Sequence, residues 1–365
     1  MRLSKRSLRY LFSIVFAWPM AFCCAPSFAV DAISNPVLKK SGWDGPTDGP
    51  PKQTGKKVTF IAQDSRNGGV SSAYRGFYLA AIELGWSLSV VDGKNDKSLI
   101  RSLFVEALNQ HQDAIILGGI DFDDAYDDLS LRARQEKVVL VGWHAAAKPG
   151  PTRNLFVNIT TPYEDVGKKA VEFVIGNSKG EIGIIILNDD RFGIANAKTS
   201  VMMEAIFRCG RCTLLTVENM QIGNANKEIP DAVVRLNQQY GKKWTHTLAI
   251  NDAYFDAINV PLVREGRKDI QNVSAGDGSY IALSRIKSGI SQQVATVAEP
   301  FGLQGWQLAD ELNRAFSGKQ PSGYITKPIL ITTLFMNQLK GAEIDSILNY
   351  RENYSVIWTG KNYLK

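Results

Sequence analysis

Short apolar segments alternate with segments of helical periodicity along most of this 365-residue chain. The alternation begins with an apolar run at 58–62 and a helical pattern at 73–84, and it continues to a helical pattern at 253–265 and beyond. Such alternation predicts right-handed βαβ units with parallel strands that helices cover on both faces. About a dozen strands are too many for one open twisted sheet, which rarely exceeds roughly ten. The sequence therefore predicts an α/β protein with two doubly wound parallel-sheet lobes.

Two carboxylates follow neighbouring strands late in this alternation. Asp277 comes after the apolar run 273–276, and Glu299 comes after the apolar run 294–298. Residues with helical spacing separate the two runs, as expected for a helix that returns the chain to a parallel neighbour strand. Because ligands bind outside the carboxyl ends of strands in such sheets, both side chains are candidates for one cleft.

The first 29 residues have the pattern of a secretory signal peptide. Four basic residues precede an apolar run, and Ser27-Phe28-Ala29 forms a small-x-small cleavage site. We therefore expect export to the periplasm, with residues 30–56 as an irregular lead-in rich in Gly and Pro. The net charge of +6 includes the four basic residues of the signal, so the exported chain is close to neutral. No basic cluster follows, which argues against nucleic-acid binding.

The sequence contains four cysteines. Cys23 and Cys24 lie in the signal peptide, and the bulky Phe22 before them disfavours a lipoprotein signal. Cys209 and Cys212 form a Cys-Gly-Arg-Cys segment, and an oxidising compartment favours a disulfide between them. A thioredoxin-like redox site needs its thiolate at a helix N-terminus, whereas this pair follows a helical pattern and precedes a strand. We expect a structural disulfide.

Several segments occur in an order typical of one protein family. They are VTFIAQDSRNGGVSSAYRGFYLAAIELGW, YEDVGKKAVEFVI, LAINDAYFDAI, AGDGSYIALSRIKSG and VATVAEP. On these segments the chain resembles the periplasmic sugar-binding proteins of the ribose-binding type, which are type 1 periplasmic binding proteins, from Lys57 to about Asn337. Proteins of this type have two doubly wound lobes joined by three crossovers, hold their ligand in the interlobe cleft and supply ABC importers.

The resemblance implies a division of the chain and a set of partners. Residues 57–160 and 301–327 would form the first lobe, and residues 161–300 and 328–365 the second. The protein would be a monomer without a cofactor that delivers a sugar or polyol to an inner-membrane ABC permease. The alternative is a sensor subunit that presents its ligand to a membrane receptor kinase, because only the outer faces of such proteins differ. A repressor is disfavoured because the signal peptide occupies the place of a DNA-binding segment.

Eight residues are candidates for contacts with the ligand. They are Asp64, Asn67, Trp143, His144, Lys198, Asn251, Asp277 and Glu299. Carboxylates and amides suit polyhydroxylated ligands because each makes two hydrogen bonds in one plane, and an indole can stack on a sugar face while its N–H donates. Ordinary structural roles compete with these: Asn67 begins an Asn-Gly turn, Asn251 can cap a helix and Lys198 can face solvent.

The resemblance also has departures in the pocket. Gly68-Gly69-Val70 stands where an aromatic pair is usual, and Trp143-His144 stands where Asp-Arg is usual. Lys198 replaces an arginine, and Glu299 replaces a glutamine. A pocket with surplus carboxylate accepts a neutral polyol or a cationic ligand better than an acidic sugar.

Sequence motifs for catalysis are missing. The chain has no nucleophile elbow, P-loop or dinucleotide fingerprint, and no Ser or Cys nucleophile stands beside a His base. Its three histidines lack metal-ligand spacing. Asp277 and Glu299 could form the acid/base pair of a carbohydrate-active enzyme, but two carboxylates in a hinged scaffold are more typical of ligand clamps. We expect binding without catalysis or metal.

Overall fold

The computed structural model describes residues 43–339 and 348–360. The predicted signal peptide at 1–29 and the first part of the predicted irregular segment lie outside the described residues. The rest of that segment, from residue 43 to residue 56, contains no helix or strand. No helix within 43–339 or 348–360 is long and apolar enough to cross a membrane.

Strands and helices alternate through the described chain. The strands are β1 Lys57–Ala62, β2 Ser87–Asp92, β3 Ala114–Gly118, β4 Val139–Trp143, β5 Val157–Ile159, β6 Ile182–Asn188, β7 Cys212–Asn219, β8 His246–Ala249, β9 Gln271–Ser274, β10 Gln293–Ala298 and β11 Ile329–Thr332. The helices are α1 Gly68–Leu84, α2 Lys97–Asn109, α3 Asp127–Gln135, α4 Tyr163–Asn177, α5 Gly193–Phe207, α6 Ala225–Tyr240, α7 Ala253–Arg264, α8 Tyr280–Ser288, α9 Phe301–Phe316, α10 Thr333–Gln338 and α11 Tyr350–Thr359.

The first lobe is a five-stranded parallel sheet with strand order β2-β1-β3-β4-β5. Its central strands are apolar on both faces. In β1, Val58 and Phe60 enter the core beneath α1 and α9, whereas Ile61 enters the core beneath α2 and α3. Such nearly continuous apolar strands are typical of a parallel sheet covered on both sides.

The second lobe is a six-stranded sheet with order β11-β10-β9-β8-β6-β7. All its neighbours pair in parallel except β10 and β11, which pair antiparallel. The parallel pairing of β9 with β10 confirms the predicted arrangement behind Asp277 and Glu299. In each lobe the strand order reverses beside the first strand, at β1 and at β6, as in doubly wound sheets. The predicted fold class is confirmed.

The Cys-Gly-Arg-Cys segment lies in the turn between α5 and β7. The two sulfur atoms of Cys209 and Cys212 are bonded at 2.06 Å. The pair follows the end of α5 at Phe207, so neither sulfur lies at a helix N-terminus. This is the geometry of a structural disulfide rather than of an activated thiolate.

Within residues 43–339, three connections join the lobes. They link β5 to α4, β10 to α9 and α9 to β11. One buried side chain of α9 links the first and the third: Gln304 Nε2 donates to the hydroxyl of Thr161 at 2.9 Å and to that of Thr326 at 2.8 Å. Thr161 and Thr326 are themselves hydrogen-bonded at 3.1 Å. The crossovers therefore share one fully buried polar network at the hinge.

The C-terminal helix α11 differs from the predicted division, which places residues 328–365 in the second lobe. Tyr350, Tyr354 and Trp358 enter the core of the first lobe. Trp358 stacks on Trp306 with ring centroids 5.5 Å apart, and its indole N–H donates to Asp310 at 2.9 Å. Three aromatic residues of α11 need a deep apolar face, and α9 supplies it. The remaining boundaries of the predicted division stay predictions.

Replacing Trp358 with alanine should remove the anchor of α11. Trp358 is 1% exposed, so Trp358→Ala should lower the free energy of unfolding by about 3–5 kcal/mol through lost burial and a residual cavity. Urea unfolding measures this loss. The exposed Glu352 of the same helix provides the control, because Glu352→Gln should change the free energy by no more than about 0.5 kcal/mol. Equal stability of both variants would show that α11 does not anchor in the first lobe.

Candidate functional site

The carboxyl ends of the two sheets face each other across an interlobe cleft. The cleft encloses a cavity of about 40 Å³ lined by residues of both lobes. Six of the eight predicted ligand contacts line it, namely Asn67, Trp143, His144, Lys198, Asn251 and Asp277. Glu299 stands beside them at the hinge and lines a neighbouring groove. The structure thus brings together seven of the eight predicted residues.

Asn67 caps the helix that enters the cleft from the first lobe. Its Oδ1 accepts a hydrogen bond from the Gly69 N–H at 2.9 Å, so the ordinary turn role is present alongside the position in the cavity lining. A Cβ at Gly69 would lie 2.9 Å from the Phe301 ring and 3.3 Å from Asp277 Oδ1. The absence of a side chain at Gly69 therefore allows the first turn of α1 to approach Asp277 across the cleft.

Trp143 is the last residue of β4, and its ring lines the cleft on the side of the first lobe. The ring contacts that of His144 in a tilted arrangement at a centroid distance of 4.2 Å and contacts Phe301 edge-on at 5.2 Å. Its indole N–H donates to Gln304 Oε1 at 2.7 Å, which corrects the expectation that this N–H donates to a ligand. The indole face remains as an apolar wall, and the indole nitrogen belongs to the hinge network.

His144 follows β4 in the left-handed backbone region, with φ of 50°. Burial lowers the pKa of its imidazole to about 4, even though the charge of Glu299 opposes this, so the ring is neutral at pH 7. Its Nε2 lies 3.5 Å from Glu299 Oε2. Within residues 43–339 and 348–360 neither of these buried atoms has a hydrogen-bond partner. Two polar atoms beside the cleft therefore have unused hydrogen-bonding capacity.

Lys198 and Glu299 form a buried ion pair. Lys198 extends from α5, and its Nζ donates to Glu299 Oε1. The side chains are 6% and 0% exposed. The sequence allows Lys198 to face either solvent or the cleft. The structure places it in the cavity lining. Each charge compensates the other. Burying either charge alone would cost several kcal/mol.

Asp277 is presented to the cleft by a tight turn after β9. Gly276, Asp277 and Gly278 have φ of 152°, 70° and 72°, a conformation that places the carboxyl on the cleft side of the strand end. Burial raises the pKa of this carboxyl well above its usual value. The negative charges of Asp252 and Glu299 raise it further, while Lys198 opposes them. The carboxyl is therefore held toward its protonated form.

Asp252 fixes the turn that carries Asp277, a role that sequence analysis missed. It is fully buried, and its Oδ2 accepts from the N–H groups of Gly278 at 2.7 Å and Ser279 at 3.2 Å. Its Oδ1 accepts from Gln293 Nε2 at 2.6 Å. Burial raises its pKa to about 6, against these hydrogen bonds. The sequence feature that could have identified Asp252 is its position next to Asn251. The Oδ1 of Asn251 caps α7 by accepting a hydrogen bond from the Ala253 N–H at 2.8 Å.

Asp64 is the predicted contact that the structure does not bring to the cavity. Its carboxylate is buried, and both oxygens accept hydrogen bonds from Arg66, at 2.9 Å from Nε and at 2.7 Å from a terminal nitrogen. Burial raises the pKa of this carboxyl, but the hydrogen bonds and charge of Arg66 outweigh that effect, and the pKa is lowered. Asp64 holds the loop after β1 in place.

A larger groove of about 490 Å³ adjoins the cleft beside the hinge. We call it the side groove, and α1, α8, the β10–α9 crossover and the ends of β11 and α11 form it. Asp277 lines both the cleft cavity and the side groove. Exposed Arg75 and Lys287 stand along the groove.

Separating the buried ion pair should destabilise the protein strongly. Lys198→Met leaves Glu299 buried without its cation and should lower the free energy of unfolding by about 3–5 kcal/mol. The double variant Lys198→Met, Glu299→Gln removes the uncompensated charge and should recover much of that loss, which a double-mutant cycle in urea measures.

The exposed pair Arg208–Glu204 on the same helix supplies the control. Arg208→Met should cost no more than about 1 kcal/mol because solvent screens both charges. A loss of this small size for Lys198→Met would contradict a buried pair.

Comparison with known proteins shows similarity in structure rather than in sequence. No protein-family model matches the sequence. No curated protein matches it either. A sugar ABC transporter protein from Yersinia enterocolitica subsp. enterocolitica 8081 has a similar structure, with a TM-score of 0.73 and 17% identity over 85% of this chain and 96% of that one.

Two further solved structures carry ligands. An ABC transporter solute-binding protein from Agrobacterium vitis with bound allitol matches with a TM-score of 0.68 and 17% identity, over 79% of this chain and 98% of that one. The Caulobacter myo-inositol binding protein bound to myo-inositol matches with a TM-score of 0.67 and 17% identity, over 79% of this chain and 97% of that one. The chain therefore has the fold of type 1 periplasmic binding proteins.

Proposed function

We propose that this protein is an exported solute-binding protein that captures a small polar ligand, such as a sugar or polyol, and delivers it to an ABC importer in the inner membrane. One observation carries the proposal: polar side chains from both lobes converge on a single cleft between the carboxyl ends of two doubly wound sheets. Ligands bind at this edge in open α/β sheets. Proteins of the same fold bind allitol and myo-inositol, which are polyols.

Ligand capture in this proposal uses hinge closure. The lobes already contact each other beside the cleft: the Gly193 N–H of α5 donates to Asp121 Oδ2 at 2.9 Å, and the guanidinium of Arg66 packs close to Gly223. A cavity of about 40 Å³ is far below the roughly 300 Å³ at which ligand pockets begin. Entry therefore requires the lobes to separate, and a ligand that contacts both lobes stabilises the closed form.

The proposal includes no turnover. A glycosidase needs one carboxyl group that donates a proton and another that acts as base or nucleophile. Here Glu299 is engaged by Lys198, and the described residues that line the cleft cavity include no serine, threonine or cysteine that could act as a nucleophile. Neutral His144 has no hydroxyl or thiol beside it in that lining. These contacts support a clamp that holds a ligand unchanged.

Export is part of the proposal and rests on the sequence of residues 1–29. The disulfide between Cys209 and Cys212 supports an oxidising compartment such as the periplasm.

Affinity capture of binding partners from membranes distinguishes delivery to an ABC importer from signalling to a receptor kinase, the two roles that this fold can serve. Recovery of an ABC permease would support delivery, and recovery of a receptor kinase in its place would overturn delivery in favour of a sensor.

A thermal-shift screen of pentoses, hexoses and polyols tests ligand capture. A ligand at about 100 times its dissociation constant should add about 2.7 kcal/mol of stability to the wild-type protein. Asp277→Gly should abolish this gain while the protein still folds, because glycine adopts the φ of 70° at this position without strain.

The control for Asp277→Gly is Asp128→Asn. Glycine is not used at this control position because it would add backbone freedom within a helix. Asp128 is an exposed carboxylate on α3 that pairs with Arg101, outside the cavity lining. Asp128→Asn should keep the full ligand-induced gain. If Asp277→Gly binds the same ligand as tightly as wild type does, Asp277 is not part of the ligand site.

A further inference from the structure

Carboxyl groups outnumber cations around the cleft. Asp277 lines the cavity, Asp252 is buried behind the turn that carries Asp277, and Glu299 stands at the hinge. One lysine, Lys198, faces them, and Glu299 already holds its Nζ. His144, across the cleft, is neutral. Among the described residues, Lys198 is the only cation of the cavity lining, and Asp277 shares it with Glu299.

Other cations near the cleft are engaged or exposed. Arg66 binds Asp64 and Arg191 binds Asp189, each through two nitrogens. Arg75 of α1 stands in the side groove, where solvent screens it. Gly69 in the first turn of α1 and the amide of Asn251 also lie beside the Asp277 carboxyl. Neither carries a formal charge.

Aromatic rings from both lobes and the hinge line the cavity together with Asp277. Trp143, Phe192 and Phe301 all line the cavity. Ring faces attract cations, and the attraction grows when water is excluded, as it is between closed lobes. The cleft thus offers a cation a carboxyl group without a paired cation of its own, together with aromatic rings in the same lining. An anion would find no cation in the lining that is not already paired.

Resting on the proposed binding function, we propose that the cleft selects a hydroxylated amine: a small polyol or sugar that carries a protonated nitrogen, which pairs with Asp277. A hydroxyl group of the same ligand would use Nε2 of His144, which lines the cavity and has no hydrogen-bond partner among the described residues. The amide of Asn251 lies beside Asp277 in the same lining. A neutral polyol makes these hydroxyl contacts while the Asp277 carboxyl keeps its proton, so it gains no ion pair with Asp277.

Binding of such an amine moves one proton. The neutral Asp277 carboxyl loses its proton to solvent, and the carboxylate that forms pairs with the ammonium of the ligand. No covalent bond between heavy atoms changes. Amine affinity should therefore increase with pH as the Asp277 carboxyl titrates, until the amine itself loses its proton. A neutral polyol should bind without this proton release.

Isothermal titration with matched pairs of probes tests the inference. The pairs are glucosamine with glucose, galactosamine with galactose, and 1-amino-1-deoxysorbitol with sorbitol, and N-acetylglucosamine serves as a neutral analogue of similar shape. The amine of at least one pair should bind about tenfold or more tightly than its neutral partner, since a charged hydrogen bond exceeds a neutral one by about one factor of ten. Buffers of different ionisation enthalpy measure the proton released.

Two variants test the role of the charge. Asp277→Asn keeps the shape and tolerates the left-handed backbone, and it should remove the amine preference while changing neutral-ligand affinity about threefold or less. Glu299→Gln removes a second negative charge and should also weaken amine binding. Asp128→Asn, on the outer surface, should keep the preference. Circular dichroism and thermal melting establish that each variant is folded.

The possible outcomes distinguish a failure of amine selection from a failure of the proposed binding function. Equal or tighter binding of the neutral member in every pair, or an unchanged preference in Asp277→Asn, would overturn amine selection and leave sugar or polyol binding intact. Tighter binding of gluconate than of glucosamine would overturn it as well. If folded wild-type protein binds no probe of either kind, the result counts against the proposed binding function and against the inference together.

Discussion

The buried contact between Lys198 and Glu299 sets the electrostatics of the cleft. Lys198 comes from α5, and Glu299 comes from the crossover between β10 and α9, so the pair joins a helix of the second lobe to the hinge. Buried charges are retained only when partners satisfy them. Because this pair uses the lysine of the cavity lining, Asp277 has no countercharge of its own. The chemistry that the cleft can accept follows from that single pairing.

The hinge is held by a second set of buried polar groups. Trp143, Gln304, Thr161 and Thr326 form one hydrogen-bonded network that touches the first sheet and two of the crossovers, with α9 carrying the glutamine. Buried networks of this kind fix one geometry because every unpaired member would cost free energy. The wall of the cleft and the hinge therefore share a residue, Trp143. A movement of the lobes about the crossovers would therefore change the position of the Trp143 indole, which borders the ligand site.

Apolar periodicity was enough to predict the fold, because strands buried on both faces and helices with one buried face leave distinct patterns. The convergence of Asn251, Asp277 and Glu299 followed from the rule that strand ends share one edge of a sheet. Asp64 follows that rule too, but Arg66 two residues later engages its carboxylate, and a rule of position does not detect a local ion pair.

Long-range partners explain what the sequence did not predict. Gln304 lies within the helical pattern of α9 and contacts Trp143, 161 residues earlier, so no local pattern identifies it. The docking of α11 on Trp306 likewise depends on the shape of the first-lobe core. The role of Asp252 also depends on residues that are distant in sequence, because its carboxylate fixes the Asp277 turn through backbone N–H groups of the loop after β9.

A distance measurement across the cleft mouth tests most directly whether the two lobes close on a small ligand in this cleft. Spin labels at Asp124→Cys, after β3, and at Asn226→Cys, at the start of α6, report on opposite lobes from exposed positions. Because Cys209 and Cys212 are bonded, they do not take up label. Pulsed electron paramagnetic resonance should give a broad or long distance distribution without ligand and a short, narrow one with the tightest sugar, polyol or amine. A distribution that saturating ligand leaves unchanged would contradict the account.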